Sequence, residues 1–96
     1  METLTDAIER LRGQGFTRDF RAVGGGRLRC EECGTEFDPA TLQITEIVRF
    51  EGESDPGDES ILFALSGSCG HAGLYSAAYG PDATPEDAAV VASLHR

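Results

Sequence analysis

The chain has 96 residues, 40% hydrophobic and 26% charged, with a formal net charge of −9 at pH 7. This composition excludes a disordered tail, a collagen and a coiled coil, and the length suits one domain over residues 1–96. The negative charge repels phosphate backbones and anionic membranes, so neither duplex DNA nor a membrane is an expected partner.

The opening METLTDAIER places acids where a secretory leader needs bases, and no apolar run approaches the ~18–20 residues of a membrane span. The expectation is a cytoplasmic protein. Three cysteines in a reducing compartment favour metal binding or thiol chemistry over a disulfide framework.

Leu4, Ala7, Ile8 and Leu11 form one apolar stripe and predict an N-terminal helix, with Thr3 and Asp6 as a capping pair. Gly13 and Gly15 stop it, Phe16 and Phe20 are free for the core, and Gly24-Gly25-Gly26 reads as a turn or linker. From Leu42 to Phe50 the pattern alternates, with Leu42, Ile44, Val48 and Phe50 on one side and Gln43, Thr45 and Arg49 on the other. Glu46 and Ile47 interrupt that alternation, which implies cover on both sides. Residues 61–65 read as a buried strand and residues 73–79 as another, with Tyr75, Ala77 and Tyr79 on one face. Thr84-Pro85-Glu86-Asp87 starts a second helix, with Ala88, Val91, Ala92 and His95 on its apolar side. The expected fold is α+β: an N-terminal helix, a small antiparallel sheet of three or four strands and a C-terminal helix. Both helices are expected on one face of the sheet, against Val48, Phe50, Ile61, Phe63 and Leu65.

The chemistry concentrates in two short motifs. In Cys30-Glu31-Glu32-Cys33-Gly34, two thiolates on a tight turn can reach one tetrahedral zinc, and the glycine permits the turn. Cys69-Gly70-His71 supplies a second pair on a turn between strands. Together Cys30, Cys33, Cys69 and His71 form a closed Cys3His set, the signature of one structural zinc ion per chain. The alternatives are a redox dithiol at Cys30 and Cys33, or inert thiols. Glu31 and Glu32 are expected to raise the thiol pKa, which counts against redox chemistry.

The five acids between Glu51 and Glu59 read as a solvated, metal-free loop, since their spacing is not that of an EF-hand. His95 reads as a helix-end residue, and Tyr75 and Tyr79 as core or rim. No GxSxG elbow or similar triad pattern occurs, so no catalytic residue is assigned. Eight arginines set among seventeen acids suggest no phosphate-binding cluster.

Three stretches together resemble a small, uncharacterised bacterial family sometimes labelled phosphoribosylpyrophosphate synthetase. They are Leu4-Thr5-Asp6-Ala7-Ile8 with Gly15-Phe16-Thr17-Arg18-Asp19-Phe20, then Val48 to Glu59, then Ala77-Ala78-Tyr79-Gly80-Pro81. The most specific part is RFEG-x-x-DP-x-DE, from Arg49 to Glu59. The resemblance implies a compact α+β domain and, through the label, a phosphoribosyl or nucleotide-phosphate enzyme. The residues themselves point to a non-enzymatic, zinc-binding regulatory module with a protein or small-ligand partner. On that reading neither synthetase activity nor duplex DNA binding is expected.

Overall fold

The structure is a computed structural model that describes residues 3–50, 60–67, 70–78 and 84–94. Helix α1 (Leu4–Gly13) is followed by β1 (Arg18–Val23), β2 (Arg27–Cys30) and β3 (Glu36–Phe37). A short 3-10 turn (Pro39–Thr41) leads to β4 (Gln43–Phe50), β5 (Ser60–Ser66), β6 (Ala72–Ala78) and helix α2 (Pro85–Ser93). The six described strands form one sheet in the order β3-β2-β1-β6-β5-β4. No helix among the described residues is long and apolar enough to cross a membrane.

Both helices begin as the sequence predicts. The Asp6 amide donates to Thr3 Oγ1 at 3.1 Å and the Thr3 amide to Asp6 Oδ2 at 3.2 Å, a reciprocal cap. Thr84 accepts from the Asp87 amide at 3.1 Å, and Pro85 opens α2 where its missing N–H costs nothing.

The helices lie on opposite faces, not on one. Strand β5 dictates this, because all of Ile61, Leu62, Phe63, Ala64 and Leu65 are buried and they point alternately to either side. Leu62, Ala64 and Leu74 pack with Ala7, Leu11 and Phe16 on the α1 side. Ile61, Phe63, Leu65, Tyr75 and Ala77 pack with Val90 and Leu94 of the α2 region, and with Phe20, Leu28, Cys30 and Phe37. A sheet apolar on both faces needs a layer on each, since one helical layer would leave the other face wet.

Helix α2 is rotated from its expected phase. Val90 and Leu94 are buried and Val91 is half-buried, whereas Ala88 and Ala92 are exposed. The inward stripe runs Asp87, Val90, Val91, Leu94, with the same spacing one residue earlier. Asp87 can sit inward because its Oδ1 accepts from the hydroxyl of buried Tyr75 at 2.5 Å. Burial, and then the neighbouring Asp87 carboxylate, push the Tyr75 phenol well above its usual range. The Tyr75 ring stacks on Phe63 with centroids 6.0 Å apart.

The broken alternation in β4 resolves as a bulge. Ile44 pairs with Leu65 and Glu46 with Ala64, so Thr45 is the extra residue. The bulge switches faces: Ile44 and Ile47 join the α2-side cluster, whereas Val48 and Phe50 join the α1 side.

The sheet is mixed and larger than the three or four antiparallel strands expected. Strand β1, which the sequence reading passed over, runs parallel to β6 through the pairs Arg18–Gly73 and Asp19–Leu74. A Cβ on Gly73 would lie 2.4 Å from the Arg18 carbonyl oxygen, so the seam closes only because residue 73 has no side chain. The acidic stretch 51–59 and residues Cys69, Tyr79 and His95 fall outside the described residues.

Candidate metal centre

Topology brings the two motifs together. Strand β2 runs antiparallel to β1, so its last residue, Cys30, pairs with Phe20 near the start of β1. Strand β6 runs parallel to β1 and begins beside Arg18. The end of β2 and the start of β6 therefore share one end of the sheet, and His71, just before β6, arrives beside Cys30.

The local turn follows from residue chemistry. After Cys30 the chain reverses, with the Gly34 amide donating to the Cys30 carbonyl at 2.8 Å and the Cys30 amide to the Thr35 carbonyl at 2.9 Å. Gly34 adopts φ +70°, a left-handed conformation that glycine takes without strain. The Glu31 amide ties the turn to the Asp19 carbonyl at 3.0 Å, and Arg18 pairs with Glu32. On the second side the Gly70 amide donates to the Gly67 carbonyl at 3.1 Å.

One ligand atom from each of Cys30, Cys33 and His71 lies within 4.8 Å of the other two. His71 Nδ1 is 3.5 Å from Cys30 Sγ, close to the ~3.6 Å that separates a sulfur and a nitrogen on tetrahedral zinc. Cys30 is buried, Cys33 is exposed and His71 is half-buried. This set combines soft thiolates with an imidazole, the donor chemistry suited to zinc rather than to calcium or magnesium.

The two thiols differ electrostatically. Burial pushes the Cys30 thiol up. Cys33 is drawn down to about 6, chiefly by hydrogen bonds from the Thr35 side chain and backbone, with smaller help from Cys30 and His71. The expectation that Glu31 and Glu32 raise the thiol pKa is therefore corrected: Cys33 is lowered, and the rise at Cys30 comes chiefly from burial and not from those carboxylates. Glu32 is engaged by Arg18, and the Thr35 donors stabilise the Cys33 thiolate directly.

The structure thus brings Cys30, Cys33 and His71, three of the four residues expected from sequence to bind zinc, close enough to hold a metal ion, and the fourth, Cys69, lies outside the described residues. One charge feature departs from the sequence-based expectation. Six of the eight arginines fall between Arg10 and Arg29, with Asp19 the only acid there, so the arginines are clustered and not evenly set among the acids. Arg10, Arg12 and Arg18 pair with Glu46, Asp19 and Glu32, whereas Arg21, Arg27 and Arg29 are exposed and make no ion pair among the described residues. A running charge count along the sequence would have found them. No family model, curated protein or solved structure matches this chain.

Proposed function

We propose that this chain is a small zinc-binding domain whose metal fixes the junction between the two parts of its sheet, and that it serves as a non-enzymatic binding or regulatory module. The observation that supports this reading is the convergence of Cys30, Cys33 and His71 from two separate turns. Cys69, two residues before His71 in sequence, is the proposed fourth ligand and would complete Cys3His. A closed set of four leaves no position for substrate, which is why the ion is read as structural.

A second reading has its own support. The lowered Cys33 thiol beside buried Cys30 is the pattern of a dithiol redox pair. His71 favours zinc, since a dithiol needs no imidazole aimed at the same point.

One measurement separates the two. Native mass spectrometry of protein purified without chelator or added metal is expected to show one zinc per chain, lost in Cys30→Ser and in His71→Ala. A metal-free chain about 2 Da below the reduced mass would mark a disulfide and decide for the redox reading. A reduced, metal-free chain would dismiss both.

A further inference from the structure

A cleft of about 480 Å3 opens between the β1–β2 hairpin and the first turn of α2, lined among others by Arg21, Arg29, Glu31, Glu86 and Asp87. We propose that it binds a small molecule carrying a phosphate-type dianion, held by Arg21 and Arg29. The volume falls in the range of small-molecule sites, well beyond what an inorganic ion alone would fill.

The two arginines stand directly opposite each other across the antiparallel pair β1–β2. Like charges in that position repel, and neither has an ion-pair partner among the described residues. Arg29 also faces Glu36 across the β2–β3 pair, without an ion pair. A shared anion between the guanidinium groups converts this repulsion into two charge-assisted contacts. Two planar forks present more donors than a carboxylate has oxygens, whereas a phosphate monoester offers three terminal oxygens to divide between them.

The acids on the rim define the rest of the ligand. Asp87 is already committed to Tyr75 and Thr84. Glu31 and Glu86 are exposed and interrupt the positive surface, which disfavours a nucleic-acid strand that needs a continuous basic track. They suit a compact ligand whose body offers hydroxyl or amino donors. The first turn of α2 is capped by Thr84 and acts as a wall, so the anion is assigned to the arginines alone. The site does not depend on the metal reading.

The test uses the full chain as purified, labelled with nitrogen-15. Sodium phosphate is titrated at constant ionic strength, with sodium acetate in parallel, while the arginine side-chain and cleft amide signals are followed. Phosphate is expected to saturate shifts at Arg21, Arg29, Ala22 and Gly24, with acetate binding more weakly. Arg21→Gln or Arg29→Gln should weaken phosphate by about 10-fold or more, whereas Arg27→Gln, outside the cleft, leaves it unchanged. Dispersed spectra of each variant exclude loss of fold as the cause. Shifts that never saturate, shifts equal at Arg27 and Arg49, or equal affinity for acetate would overturn the proposal. So would an oligonucleotide that saturates Arg21, Arg27 and Arg29 together where phosphate does not.

Discussion

The sheet has two halves held together on different terms. In β4–β5–β6 the pairing runs the length of the strands, and β5 is buried from Ile61 to Leu65. In β1–β2–β3 the strands are short and the outer positions Arg21, Arg27 and Arg29 are exposed. The halves join at Arg18–Gly73 and Asp19–Leu74, through core contacts such as Phe20 and Leu28, and at the Cys30, Cys33 and His71 cluster. Hydrophobic burial accounts for the first half. The second packs on one face only, through Phe20, Leu28, Cys30 and Phe37, and the proposed metal would staple its junction with the first. Small domains commonly need such a staple.

The contrast breaks hardest at Phe63. This side chain is 1% exposed and stacks on Tyr75, so Phe63→Ala should cost about 3–5 kcal/mol and destabilise both halves together. Denaturant unfolding checks it, and a cost below about 1 kcal/mol would show that β5 is not the centre of the core.

A smaller effect is expected at the seam. In Gly73→Ala the new Cβ meets backbone and not a flexible side-chain end, so either β1 or β6 must shift. A loss of about 1–3 kcal/mol is expected, with hydrogen exchange rising in β1 and β2 before β5. Uniform exchange across the sheet would mean that the halves do not separate.

The smallest effect concerns pH at the metal-free hairpin tip. The Cys33 pKa is lowered in the folded chain to about 6 from an ordinary value of 9.0. Its contribution to stability is therefore complete above the unfolded value and is lost as pH falls through about 6. Alkylation of metal-free protein by iodoacetamide should show a midpoint near 6 for Cys33, with buried Cys30 slow to react. A midpoint near 9.0 would show that the Thr35 hydrogen bonds do not hold in solution.

Local chemistry was legible in the residues. The Thr3–Asp6 and Thr84–Asp87 caps, the buried run of β5 and the turn at Cys30-x-x-Cys33-Gly34 depend on neighbours a few positions apart, and each forms as expected. The pairing of Cys30 and Cys33 with His71 was also inferable, because only a few residue types bind zinc and their spacing is restrictive. Tertiary structure decided the rest. The strand β1 carries a weak local pattern, RDFRAV, and is a strand because β2 and β6 flank it. The phase of α2 turned on Tyr75, whose hydroxyl makes an inward Asp87 affordable. The Thr45 bulge, which assigns Ile47 and Val48 to opposite faces, exists only in register with β5. The placement of the helices on opposite faces follows from both sides of one central strand needing cover. Interactions closed within a few residues are written in the sequence, whereas those that depend on a distant partner become definite only when the chain has packed.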